Sequence, residues 1–459
     1  MKKLVVTAFI LAAVVLQGQA QNKPNIVFIL ADDLGYGDLG CYGQQKIKTP
    51  NIDALAAAGI KFTCFYAGST VCAPSRASLM TGLHTGHGYI RGNGEVPLRA
   101  QDTVLAQRLQ QQGYTTGMVG KWGLGLSGTD GVPEKKGWDF FAGHLHHIEG
   151  HYQQPDSAWQ LANGVTQKVK IPAQLHANQW FTNEAVDFIE QNKAHPFFLY
   201  VAFTLPHAEL KVPPQYLAPY LDKTGVSIFM PEVPYAYGQH YGGQPYPKAA
   251  YAAMISEIDD HTGMILKKLK ELHLDKNTLV IFTSDNGTHV EGGRTANDIA
   301  FFNSTGSLRG YKRDLYEGGI RVPFVARWPH HIAPGSTTGH PAAFWDVLPT
   351  LLATAGKPYH HGDGLSFLPA LLGKPQQPHD FLYWEFYEGG FKQAVQQGPW
   401  KAIRFYTGTK PGKVELYDLI RDRGEQNDLA GKQPGLVKAL CNIMDQQHTT
   451  AENGLFQVK

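Results

Sequence analysis

Three runs of almost unbroken apolar residues, each ending in a polar cluster, constrain the fold of this chain more than any other feature. Asn25-Ile26-Val27-Phe28-Ile29-Leu30 leads into Asp32-Asp33, residues 196–203 lead into Thr204-Leu205-Pro206-His207, and residues 278–283 lead into Ser284-Asp285-Asn286-Gly287. Apolar runs without alternation suit strands buried on both faces, as in a parallel sheet covered by helices on either side. Helical patterns at about 53–58, 104–112, 182–191 and 249–272 supply those covering layers. Open sheets of this kind build their sites beyond the carboxyl ends of the strands, so the three polar clusters can converge. The fold class is therefore α/β, with a large sheet flanked by helices.

The texture changes near residue 378. Residues 381–386, 392–395, 400–404 and 415–419 read as short strands separated by Gly and Pro turns, and a helix follows near 435–448. Residues 379–459 are thus expected to form a smaller antiparallel sheet with a packing helix, docked on a main domain of residues 21–378. The Pro/Tyr/Gly-rich stretch 231–247 reads as an ordered surface loop.

The first 20 residues stand apart. Lys2 and Lys3 precede an apolar run from Leu4 to Leu16, then Gly18-Gln19-Ala20 offers a small-x-small cleavage site. This is the pattern of a secretory signal peptide cut after Ala20, and its bacterial look makes the periplasm the expected destination. No later stretch is long and apolar enough to span a bilayer. With 41 basic and 39 acidic residues the net charge is only +2, and no basic run or recognition motif points to nucleic acid. Four cysteines, Cys41, Cys64, Cys72 and Cys441, are too few for a disulfide scaffold in 459 residues. Cys41 and Cys64 read equally as a disulfide or as two buried thiols.

Cys72 has a more particular setting, Val71-Cys72-Ala73-Pro74-Ser75-Arg76-Ala77-Ser78-Leu79-Met80-Thr81-Gly82, where a helix is expected to begin. Asp32, Asp33, Asp285 and Asn286 are four hard oxygen donors at strand ends, suited to Ca²⁺ or Mg²⁺. Either pair alone would read as a helix cap or a simple turn. The string C-x-P-S-R followed by L-M-T-G resembles the signature of the type I sulfatases, and the resemblance extends over nearly all of the chain after the leader. It implies an alkaline-phosphatase-like mixed sheet and a sulfuric ester hydrolase. It implies that a maturation enzyme converts Cys72 to formylglycine and that calcium is held by Asp32, Asp33, Asp285, Asn286 and the Cys72-derived oxygen.

The same resemblance assigns further roles. Arg76, one turn after Cys72, holds the hydrate and the site's carboxylates. Lys121, in Val119-Gly120-Lys121-Trp122-Gly123, and Lys312, in Arg309-Gly310-Tyr311-Lys312-Arg313, match the two lysine motifs whose ammonium groups bind sulfate oxygens. His207 matches the histidine facing the scissile oxygen. The implied cycle is attack of a hydrate hydroxyl on sulfur, protonation of the leaving alcohol by His207 with Lys312, and elimination of sulfate to regenerate the aldehyde. Gly123 departs from the pattern, since many sulfatases carry there a histidine that deprotonates the hydrate. A glycine at this place is similar to a group of bacterial polysaccharide sulfatases, which implies an exo-acting enzyme on sulfated galactose or N-acetylgalactosamine, with the 4-O ester preferred.

Substrate contacts are expected from Arg91 and Asn93 after the Cys72 helix, from His147, and from His289 past the third strand, where Glu291 and Arg294 stand nearby. The cluster His144, His146, His147 and His151 has spacing that fits no familiar transition-metal site. It reads as a loop presenting histidines and Tyr152 to a carbohydrate, or as a solvated loop. Trp345, Trp384 and Tyr387 read as core. Two other readings are carried: a phosphomonoesterase or phosphodiesterase of the same superfamily, and a glycan-binding pseudosulfatase motivated by Gly123.

Overall fold

The computed structural model describes residues 23–236 and 241–458. The expected signal peptide lies outside the described residues. Fifteen strands occur among them: β1 (Asn25–Ala31), β2 (Ile60–Tyr66), β3 (Thr115–Lys121), β4 (Phe140–His144), β5 (Ser157–Ala162), β6 (Val165–Lys170), β7 (Phe197–Ala202), β8 (Thr278–Ser284), β9 (Arg321–Arg327), β10 (Ser336–Thr338), β11 (Ala342–Ala343), β12 (Leu382–Phe386), β13 (Lys392–Gln397), β14 (Trp400–Thr407) and β15 (Lys410–Asp418). The large sheet has the order β10-β2-β9-β8-β1-β7-β3-β4-β5-β6, with β11 paired to β2. Its centre, β8-β1-β7-β3-β4, is parallel, while β9 runs antiparallel to β8 and the β5–β6 hairpin closes the far side. The sheet is therefore mixed.

Period-two geometry sends alternate side chains of β1 to opposite faces. Ile26, Phe28 and Leu30 join one core, and Val27, Ile29 and Ala31 join the other. The first face is covered by α2 (Cys72–Thr81), α3 (Leu105–Gln110) and α6 (Val347–Thr354). The second is covered by α1 (Pro50–Ala57), α4 (Ala177–Gln191) and α5 (Pro247–Glu271). Close strand packing leaves no room for side chains at some sites: at Gly120, with φ +96°, a Cβ would lie 1.9 Å from the Ala202 carbonyl oxygen. This lets β3 and β7 deliver Lys121 and the His207 loop side by side.

The four C-terminal strands β12-β13-β14-β15 form a separate antiparallel sheet, and α7 (Pro434–Gln447) packs on it through Leu440 and Met444. Its other face meets the main body through Trp384, Phe386, Ala394 and Ile403 against Tyr66, Ile320 and Trp345. All four cysteines are free thiols, so the Cys41–Cys64 disulfide does not form. The Cys41 thiol is instead pushed up to about 12, chiefly by burial and then by Asp53. No helix among the described residues is long and apolar enough to cross a membrane.

Candidate active site

The carboxyl ends of four adjacent strands, β8, β1, β7 and β3, supply Asp285 and Asn286, Asp32 and Asp33, His207 and Lys121 to one place. Cys72 opens α2 opposite them, buried at 2% exposure. The Ala73 backbone N–H donates to Asn93 Oδ1 at 3.0 Å, which satisfies a first-turn amide that no residue of the helix itself can reach. Asn93 Oδ1 also lies 3.6 Å from Cys72 Sγ. Ser75 ties the helix to β8, donating to the Asp285 carbonyl at 2.5 Å while accepting from Gly68 N–H.

Buried charges pair closely in this cluster, as buried charges must. Lys121 Nζ lies 2.6 Å from Asp32 Oδ2, and Lys312 Nζ lies 2.7 Å from Asp33 Oδ2. Arg76 donates through two nitrogens to Asp285 Oδ2 at 3.0 and 2.9 Å and through a third to the Lys121 carbonyl at 2.7 Å. Asn286 Nδ2 donates to Asp33 Oδ1 at 2.7 Å. Burial works to raise Asp32, but Lys121 and Arg76 overcome it and hold its carboxyl below the usual range. Burial and the neighbouring Asp32 carboxylate push Asp285 up to about 7.

Two buried oxygens in this group, Asp32 Oδ1 and Asn286 Oδ1, have no hydrogen-bond partner. Orphaned buried acceptors are rare and call for an explanation. Three carboxylates and an amide oxygen crowded together form the hard-donor set that a divalent cation such as Ca²⁺ takes. The residues present therefore fit the metal that the sequence implied.

His207 sits between the cations and the mouth. Its Nδ1 is bonded to the Ala208 carbonyl, so that nitrogen carries the hydrogen and Nε2 accepts from Lys312 Nζ at 3.1 Å. Burial, then Lys312, push the imidazole well below its ordinary range. Lys312 is held up by Asp33 and Glu291 against the opposing effect of burial. Burial likewise pushes the Cys72 thiol up despite Lys121 nearby, which disfavours a thiolate. A cavity of about 510 Å³ opens over Cys72, and His207, Lys312, Asn93 and His147 are among its walls.

Two expected substrate contacts lie elsewhere. Arg91, 3% exposed, does not reach the cavity. Its guanidinium is enclosed by Glu385, Tyr387 and Thr449, where it fastens the 82–93 segment to the C-terminal sheet. His289 stands behind His207, bonded to the Pro206 carbonyl at 3.0 Å, with ring centroids 5.8 Å apart. Of the expected core aromatics, Trp345 and Trp384 are fully buried, and Tyr387 is partly buried against the core.

Three further wall residues, Tyr241, Arg313 and Glu388, escaped the sequence reading. Tyr241 donates to Glu291 Oε2 at 2.9 Å, and Arg313 bridges Glu291 and Glu388 at 2.7 and 3.1 Å. Tyr241 lies in a Pro/Tyr/Gly-rich stretch and Arg313 in a polar one, so neither carries a signal of its own, and only the tertiary fold brings these distant loops to one mouth. His151 stacks on His207 at 4.4 Å and 17°. At Gly123, with φ +71°, an added Cβ would have only His147 Cβ within 4 Å, at 3.8 Å.

Convergent cations around a buried helix start, with hard oxygen donors beneath, define a hydrolase for anionic esters. The chain belongs to the Sulfatase family, whose model matches residues 24–357. A second model, N-sulphoglucosamine sulphohydrolase, C-terminal, matches residues 310–450. It is 33% identical to human arylsulfatase A, over 92% of this chain and 87% of that one. It is 29% identical to N-acetylgalactosamine-6-O-sulfatase of Bacteroides thetaiotaomicron, over 94% of each. Among solved structures it is similar to Ps i-CgsB in complex with k-i-k-neocarrahexaose, with TM-score 0.75, 26% identity and coverage of 93% and 94%. The protein is a sulfuric ester hydrolase of alkaline-phosphatase-like fold.

Proposed function

We propose that this protein is an exported enzyme that removes sulfate from galactose or N-acetylgalactosamine units of a glycan, using formylglycine made from Cys72. The observation that carries the reading is the pair of lysines, Lys121 and Lys312, beside Cys72 and the two orphaned oxygens of Asp32 and Asn286. Formylglycine supplies a hydrated aldehyde whose hydroxyl is a nucleophile towards sulfur. Asp32, Asp33, Asp285 and Asn286 would hold calcium, which would supply positive charge to the nucleophile and to the anionic ester.

The chain's own groups do the rest. Lys121 and Lys312 bind the sulfate oxygens, where charge accumulates as the ester breaks. Arg76 keeps Asp285 in place through its two-pronged contact. Lys312 is the proton source for the departing sugar oxygen, and His207 Nε2, which accepts from its Nζ at 3.1 Å, aims that proton and takes part in its transfer. His147, beside the space that a side chain at Gly123 would fill, takes up the proton lost as sulfate leaves. Burial and Lys121 push its imidazole down to about 4, so near neutral pH it is an unprotonated base.

The resemblance favours the 4-O ester, whereas relatives from Bacteroides thetaiotaomicron and mouse are named for 6-sulfate esters. The test is sulfate release from galactose, N-acetylgalactosamine and N-acetylglucosamine sulfated at single positions. Protein co-produced with a maturation enzyme is compared with Cys72→Ala and with a chelator-treated sample. Release confined to one ester and lost in both controls is the expected result. Silence with formylglycine confirmed by peptide mass would favour the pseudosulfatase. Phosphate release that survives Cys72→Ala would favour the phosphatase reading.

A further inference from the structure

A second cavity, of about 570 Å³, adjoins the first and is not accounted for by the catalytic apparatus. The same two loops contribute neighbouring residues to both linings. The loop after Gly92 sends Asn93 to the catalytic cavity and Glu95 to the second. The loop after β4 sends His147 to the first and His146 to the second, with the two rings stacked at 4.8 Å. His146 Nε2 and Glu95 Oε1 bridge the partition at 3.0 Å. The two cavities are therefore neighbours across one thin partition.

The second cavity is lined for a particular chemistry. Trp159, on β5, is fixed by donating its indole N–H to both oxygens of Glu149 at 3.0 and 3.1 Å. Tyr152, 49% exposed, contributes a second aromatic ring. A pyranose offers a matching pair of surfaces, a C–H face for the rings and hydroxyls for the carboxylates and hydroxyl groups around them. Lys168 stands 6.0 Å from the Trp159 ring, a cation for an acidic sugar. His144 adds an independent sign of a ligand: it is 1% exposed, lines the cavity, and neither ring nitrogen has a hydrogen-bond partner. A buried imidazole left with an unused donor and an unused acceptor is costly unless something polar reaches it.

We propose that this cavity is a subsite for the sugar next to the sulfated one, so that the enzyme reads at least two consecutive residues of its glycan. The proposal rests on the glycan reading of the catalytic cavity and assigns Trp159 and Tyr152 as the platform.

Isothermal titration of the Cys72→Ala chain, which does not turn over, tests it. The probes are N-acetylgalactosamine 6-sulfate and the chondroitin 6-sulfate trisaccharide that carries this sugar at its non-reducing end and glucuronate next to it. The trisaccharide is expected to bind about tenfold more tightly or better, the scale of one aromatic platform plus its buried area. Adding Trp159→Ala or Tyr152→Ala should reduce that advantage to less than about threefold while leaving the monosaccharide's Kd unchanged. Tyr152 is half exposed, so its variant reports binding even if the Trp159 variant folds poorly. Equal binding of the two probes, or an advantage that survives both substitutions, overturns the subsite alone. Binding of neither this pair nor the corresponding 4-sulfated pair removes the glycan reading of the catalytic cavity and the subsite with it.

Discussion

His207 illustrates how a single residue acquires its role from its neighbours. The Ala208 carbonyl sets its tautomer, Lys312 faces its free nitrogen, and burial keeps the ring neutral. A proton delivered to the leaving oxygen matters most when that oxygen is a poor leaving group. His207→Ala should lower kcat on a sugar sulfate by about 10²–10⁴-fold. The loss should be much smaller on 4-nitrophenyl sulfate, whose phenolate leaves without a proton. Parallel kinetics on the two substrates check this, and equal losses would assign His207 to sulfate binding. For His147 the expected signature of His147→Ala is an enzyme that accumulates a covalent sulfate adduct, seen as an intact-mass increase during turnover. An adduct-free variant with slowed release would place the base elsewhere.

At the scale of elements, α2 depends on a residue 20 positions away for its first turn. Val71 offers no side-chain cap, and Asn93 Oδ1 does the work by accepting from Ala73 N–H. Asn93→Ala should therefore lower stability by about 1 kcal/mol, the usual worth of a cap, and Asn93→Asp should recover most of it. Thermal unfolding of the three chains measures this. A sequence reading of Asn93 as a sugar donor saw the polar residue but not that its oxygen is engaged by the helix. The strands β1, β7 and β8, by contrast, were legible because burial on both faces leaves a continuous apolar run. The hairpin β5–β6 was not, since residues such as Gln160, Gln167 and Lys168 lie at a partly wet margin of the sheet and carry no such run.

At the scale of the molecule, a buried ionic network joins the main body to the C-terminal sheet. Lys401 Nζ, on β14, lies 2.9 Å from both Glu317 Oε1 and Glu425 Oε1, and Arg321 Nε lies 2.6 Å from Glu317 Oε2. Lys401→Met would leave Glu425 without its cation and Glu317 with Arg321 alone, at an expected cost of about 3–5 kcal/mol in denaturant unfolding. Burial and the Glu317 charge push Glu425 up to about 7. A carboxyl whose folded value lies above its unfolded value near 4.3 binds its proton more tightly when folded. Its contribution to stability is complete below the unfolded value and is lost as pH rises through about 7. Melting temperatures from pH 4 to 8 should fall less steeply for Glu425→Gln than for the parent chain. Identical slopes would show that Glu425 titrates normally.

The buried parallel strands, the helix that begins at Cys72, and the oxygen and nitrogen donors at strand ends can all be read along the chain. Each is a local consequence of periodicity, capping or residue chemistry. Tertiary structure alone decided which donors meet. Arg91 and Asn93 are two residues apart in the same loop, yet one is locked under Glu385 and the other caps the Cys72 helix. Lys312 reaches Asp33 across 279 positions of sequence, and His147 comes to stand beside Gly123 because the loops after β3 and β4 run side by side. Such pairings follow from strand order and from competition for buried partners, and neither is written in any short stretch of the chain.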